Sequence, residues 1–143
     1  MEFLHGDAWG VDNIHRTARK FVEAVKAGDG ATAHFLQFTH ENVNGYVVGG
    51  AVPEVVIPVD QFDGRESFYA ITRLLKSAED AGVTIDTLGV WVDGGLVYVD
   101  AANICYGIPY SLEVATERGE LAIYDRVNRE CITVPQPLTD TTY

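Results

Sequence analysis

One segment restricts the fold more than any other: Leu88-Gly-Val-Trp-Val-Asp93, then Gly94-Gly95, then Leu96-Val-Tyr-Val-Asp100. Two runs of strand-forming residues flank two glycines. Adjacent glycines supply the positive φ that a two-residue type I′ turn requires, so the segment reads as a tight hairpin. The turn fixes the register: Val92 opposes Val97, Trp91 opposes Tyr98 and Val90 opposes Val99. Strand side chains alternate between faces. One face therefore carries Leu88, Val90, Val92, Val97, Val99 and Ala101, all aliphatic, and reads as core. The other carries Gly89, Trp91, Asp93, Leu96, Tyr98 and Asp100, where aromatic rings share a surface with carboxylates.

The flanking segments supply what such a hairpin packs against. Ile14, Ala18, Phe21, Val22 and Val25 recur at helical spacing, with Asp12 as cap, Lys26 near the end, and Gly28 and Gly30 as stop. Residues 31–40 fit more than one conformation, a second short helix among them, with Phe35, Leu36 and Phe38 as core candidates. Val43–Val48 and Glu54–Val59 read as strands, and Pro58, which has no ladder donor, puts the second at an edge. Asp63-Gly-Arg-Glu66 has the form of a capping box before a helix with Phe68, Ile71, Leu74, Leu75 and Ala78 on one face, ended by Gly82. Pro109–Arg118 reads as a helix with Leu112 and Ala115 inward and Gly119 after its end. Leu121–Tyr124 and Cys131–Val134 form a last hairpin, and Pro135 and Pro137 end regular structure before a mobile tail.

This order predicts an α+β fold: a mainly antiparallel sheet of about 5–6 strands built from hairpins, with 3–4 helices packed on one face. The 143 residues suit a single domain. It divides into an N-terminal helical segment (1–40), an α+β body (41–134) and a tail (135–143). An exposed sheet edge at Pro58 or at the last hairpin is open to a second copy of the chain, so a homo-oligomer is one expectation.

The charge is uneven. Twenty-one acids against ten lysines and arginines give −11, yet residues 1–26 balance four against four. Residues 27–64 and 77–117 contain no lysine or arginine, so parts of the body should carry a potential of one sign. That argues against direct binding to nucleic acid or to an anionic membrane. No apolar run approaches the roughly 20 residues of a membrane span. The N-terminus lacks the pattern of a signal peptide, and two cysteines are too few for a disulfide framework. A cytoplasmic protein with reduced thiols is the expectation.

Catalytic and metal motifs are missing. His5, His15, His34 and His40 cluster in the first forty residues, near Asp7 and Glu41, but no pair has the i, i+4 spacing of a zinc helix. Neither a metal nor any other cofactor is expected. Cys105 and Cys131 lack a C-x-x-C partner, and none of the three serines sits in G-x-S-x-G. Gly45–Gly50 lacks the Lys-Ser/Thr of a phosphate loop, so its glycines read as turn residues. Asp93 and Asp100 lie on the order of 13–14 Å apart along the hairpin, too far for the carboxylate pair of a glycosidase. Trp91, Asp93, Tyr98 and Asp100 read better as a binding surface, since such aromatics beside polar neighbours concentrate at interfaces. The competing reading is an aromatic pair covered by another part of the same chain.

Leu88–Ala101, followed by Ala115-Thr-Glu-Arg-Gly-Glu-Leu-Ala-Ile-Tyr-Asp125, resembles small uncharacterised proteins of actinobacteria and their phages and plasmids. The resemblance covers the last third to half of the chain and leaves out the histidine-bearing N-terminal region. It implies an accessory role in a bacterium or a phage-infected cell. Two classes of function follow. The first is a non-enzymatic acidic interaction protein, phage- or mobile-element-encoded, that binds a basic surface on a host protein; imitation of nucleic acid is one form of it. The second is a small enzyme or ligand-binding domain with its site at the Trp91–Tyr98 face, using Asp93, Asp100 and a histidine from the N-terminal region.

Overall fold

Three helices lie against one face of a seven-stranded antiparallel sheet in the computed structural model, which describes residues 9–34 and 44–136. The helices are α1 (Val11–Lys26), α2 (Gly64–Ala81) and α3 (Ile108–Arg118). The strands are β1 (Ala31–His34), β2 (Tyr46–Val48), β3 (Val55–Pro58), β4 (Thr87–Asp93), β5 (Leu96–Cys105), β6 (Ala122–Asp125) and β7 (Glu130–Thr133). Their order is β1-β4-β5-β2-β6-β7, with β3 also beside β5. The expected α+β class, antiparallel sheet and helical layer are all present.

The ten-residue β5 organises the sheet. Its first half forms the hairpin with β4 in the expected register, Trp91 opposite Tyr98, with Gly94 and Gly95 at φ 58° and 78°. Its other edge is shared by two strands in succession. β3 pairs with Leu96–Val99 and β2 pairs with Asn103–Cys105. Pro58 ends β3, as a residue without a ladder donor should.

Burial follows the alternation. Leu88, Val90, Val97, Val99 and Ala101 are buried under α1 and α2, together with Ile14, Phe21, Ile71, Leu74 and Leu75. Each of these from valine upward in size contributes on the order of 1.5–3 kcal/mol by leaving water. Val92 differs from expectation: it is 37% exposed although its partner Val97 is buried, because β3 flanks Val97 whereas β1 ends opposite Val90 and leaves Val92 on an open edge. The two helices meet through small residues, and Ser67 Oγ donates to the Ala18 carbonyl at 3.0 Å inside the contact. A second, smaller cluster of Val48, Cys105, Ala115, Ile123 and Val134 lies under α3.

Two local expectations change. Asp12 is not the cap of α1. The helix begins two residues earlier, Gly10 is the capping residue and makes no side-chain bond, and Asp12 sits in the first turn, where its charge still favours the helix N-terminus. Ala31–His34, where a helix had been one option, forms β1 along the outer edge of β4. The unpaired backbone groups of β4 need partners, and that tertiary demand outweighs the weak local preference of an alanine-containing stretch. This strand brings the total to seven, above the expected five or six. The cap of α2 is as expected: Asp63 Oδ1 accepts from the Glu66 amide at 2.9 Å. Phe35, Leu36, Phe38, Val43 and the tail beyond Gln136 lie outside the described residues.

Candidate binding face

Register alone assembles the opposite face of the sheet. Trp91 and Tyr98 are cross-strand partners, and Val56 pairs with Tyr98 from the other side. Val55 pairs with Val99, so Glu54 comes beside Asp100. Farther along, Val47 pairs with Tyr124 and Tyr124 with Cys131. Among the described residues no helix covers this face. A cavity of about 660 Å³ opens on it, walled by Trp91, Asp100, Glu54, Glu120, Val47 and Tyr124. No lysine or arginine is part of its lining among the described residues.

The indole of Trp91 stacks on Tyr98, with ring centroids 4.1 Å apart and planes 12° from parallel. Trp91 remains 44% exposed, so Tyr98 backs a ring whose outer face meets solvent. This partly unites the two earlier readings: the aromatics pair with each other, and the pair is not covered by another described element.

The carboxylates converge through glycine. Gly49 and Gly50 follow β2 where the chain crosses toward β3, and the Gly50 amide donates to Asp100 Oδ1 at 3.3 Å. A Cβ built on Gly49 would collide with Asp100 Oδ2 and lie 2.8 Å from Glu120 Oε1; one on Gly50 would lie 2.8 Å from Glu120 Oε2. Two carboxylates thus occupy the space a side chain would need. The Gly45–Gly50 run, expected to serve a turn, also serves this close approach.

Electrostatics follow from that crowding. Burial is the largest influence on Asp100, and the charges of Glu120 and Glu54 add to it; its carboxyl is pushed up to about 6 against the opposing pull of the Gly50 amide. Burial and Glu54 also raise Glu120, although Arg118 draws it down. Arg118 is itself committed elsewhere. Its Nη1 donates to the Val48 and Gly49 carbonyls at 3.0 and 3.2 Å, and its Nη2 to Asn103 Oδ1 at 2.7 Å. It holds the glycine backbone in place and leaves the cavity with negative charge in excess.

Of the four residues expected to form the surface, Trp91 and Asp100 line the cavity and Tyr98 supports Trp91. Asp93 is exposed at the turn end and lines no part of it. Glu54, Glu120, Val47 and Tyr124 were not singled out from sequence.

The two described histidines do not join this site. His15 stacks on Phe68 in the helical layer, centroids 4.4 Å apart, and His34 Nδ1 lies 2.9 Å from Thr87 Oγ1. Neither lines the cavity. His5, His40, Asp7 and Glu41 lie outside the described residues. Among the described residues no group of three or more histidine, cysteine or acidic side chains is arranged to hold a metal ion. Cys105 is buried, which raises its thiol, and Cys131 is an exposed free thiol on the cavity wall. No described helix is long and apolar enough to cross a membrane.

Comparison with protein-family models, curated proteins and solved structures found no match for this chain.

Proposed function

We propose that the chain is a non-enzymatic interaction protein whose open sheet face receives a basic segment of a protein partner. One observation carries the reading: Trp91, backed by the stacked Tyr98 ring, and three acidic side chains border a single open cavity whose described lining contains no cation. An arginine or lysine from a partner suits both features. Its charge meets Asp100, Glu120 and Glu54, and its flat or aliphatic portion lies on the exposed ring of Trp91. Val47, Tyr124 and the 72% exposed Leu121 offer apolar surface around the charged centre. In this reading the chain is an accessory protein, carried by a phage or mobile element, that engages a host protein.

The two tryptophans make the reading testable. Trp9 is 1% exposed, whereas Trp91 is on the face, so a ligand there should alter Trp91 emission selectively. An arginine-rich peptide is titrated at low and high salt. Saturable, salt-weakened binding that disappears in Trp91→Ala and falls in Asp100→Asn is the expected result. Absence of a saturable change at low salt overturns it.

A second reading, a small enzyme at the same face, is favoured by one feature: Asp100 is raised to about 6 beside a second carboxylate, Glu120. A carboxyl with that proton affinity suits a general acid next to an ionised partner. Turnover of activated glycosides or esters that is abolished in Asp100→Asn would support this reading over simple binding.

A further inference from the structure

The opposite side of the molecule carries a pocket of the other sign. α1 and α2 together hold seven of the ten lysines and arginines, against five acids. In a chain of net charge −11, this layer therefore stands apart from the acidic sheet face. A cavity of about 340 Å³ opens between the two helices. Ala18 and Phe68 form its floor, and His15, Arg19, Arg65 and Tyr69 surround it.

The spacing explains the gathering. His15 and Arg19 are four apart on α1, and Arg65, Phe68 and Tyr69 are three and four apart on α2, so each set lies on one helix face. The helices are pinned beside the pocket by the bond from Ser67 Oγ to the Ala18 carbonyl. Neither Arg19 nor Arg65 makes a hydrogen bond or ion pair among the described residues, whose single salt bridge joins Lys76 to Asp80. Arg65 instead stands over the Tyr69 ring, its Cζ 5.7 Å from the centroid. The acids close by in sequence, Glu23, Asp63 and Glu66, form no ion pair with either arginine among the described residues, and Asp63 Oδ1 is engaged by the Glu66 amide.

We propose that this cleft binds a small phosphate monoester carrying a flat aromatic group, an aryl or nucleoside monophosphate. Two guanidiniums with no ion pair among the described residues match the charge of about −1.5 to −2 that a phosphomonoester bears near pH 7, where a single carboxylate would leave one uncompensated. Guanidiniums also meet phosphate oxygens in paired, charge-assisted bonds. The apolar floor and the stacked His15 and Phe68 rings give the aromatic group a surface that inorganic phosphate would not use.

The test is calorimetric titration of the full chain at low salt with phenyl phosphate, inorganic phosphate and phenol. Phenyl phosphate should saturate, inorganic phosphate should bind several-fold more weakly, and phenol should not bind. Arg19→Gln and Arg65→Gln are exposed substitutions that leave the fold intact, and each should weaken phenyl phosphate about tenfold. Arg73→Gln, on the same helix but outside the pocket, should have no effect. The proposal is overturned if phenyl phosphate shows no saturation by about 10 mM. It is equally overturned if inorganic phosphate binds as well as the ester, or if Arg73→Gln weakens binding as much as the pocket variants.

Discussion

The carboxylate of Asp100 fills the position that a side chain on Gly49 would take, and Glu120 closes on the same point from the loop after α3. Gly49 is therefore constrained by what surrounds it. Gly49→Ala should push both carboxylates away or shift the chain between β2 and β3. We expect a loss of about 1–3 kcal/mol in stability by urea denaturation, the usual cost of forcing atoms into occupied space. Peptide binding at the open face should fall with it. An alanine variant with wild-type stability and binding would show that the carboxylates yield freely.

Asp100 makes the next expectation one of pH. Its carboxyl is raised from 3.8 to about 6, so the folded protein holds this proton more tightly than the unfolded chain does. The ionised form is thus a burden on the fold. The burden is absent below pH 3.8, grows as pH rises toward 6 and is complete above that. Full expression of the shift corresponds to roughly 3 kcal/mol. Asp100→Asn should accordingly be more stable than the parent at pH 7.5, with the difference vanishing near pH 3.5, while binding of a basic peptide weakens. Thermal melts across that range decide the matter, and a variant no more stable at pH 7.5 would count against a buried charge at Asp100.

The hairpin, the cap of α2 and the aliphatic core face were legible because each rests on residues close in sequence. Gly94-Gly95 leaves one register for Trp91 and Tyr98, and Asp63 lies within reach of the Glu66 amide. β1 was not legible, since Ala31–His34 forms a strand in answer to the open edge of β4 rather than to its own pattern. The site divides in the same way. Alternation placed Trp91, Tyr98 and Asp100 on one face, and it also enrolled Asp93, because it cannot tell how far along the strand a cavity extends. Glu54 and Glu120 reach Asp100 through the pairing of β3 with the first half of β5 and through the loop leaving α3. No local signal in the chain records either contact.

Trp91 separates binding from folding. Its ring contributes a stacked contact worth about 0.5–1.5 kcal/mol, and much of it already faces water. Trp91→Ala should lower stability by no more than about that amount while abolishing binding of the arginine-rich peptide. Modification of Cys131 by a thiol reagent gives an independent readout, since that thiol shares the cavity wall. Bound peptide should slow its modification in the parent and leave it unchanged in Trp91→Ala. A large fall in melting temperature would instead mark Trp91 as a structural residue.

Arg118 is the clearest case where a charge holds the site without lining it. Its guanidinium spans the carbonyls of Val48 and Gly49 and the side chain of Asn103, joining α3 to β2 and β5. Arg118→Met keeps much of the aliphatic stem but leaves these three acceptors without their donor. Hydrogen bonds to a charged group contribute about 1.5–3 kcal/mol, so a loss of that order is expected in urea denaturation. Arg118→Lys should recover only part of it, because an ammonium is a compact charge and cannot match a planar fork across separated acceptors. Glu120 would lose its nearby cation in the methionine variant and keep it in the lysine variant, so its carboxyl should rise further only in the former. Side-chain titration of Glu120 by NMR checks that difference. Equal stability of the lysine variant and the parent would mean that charge alone, and not the fork, secures the glycine backbone.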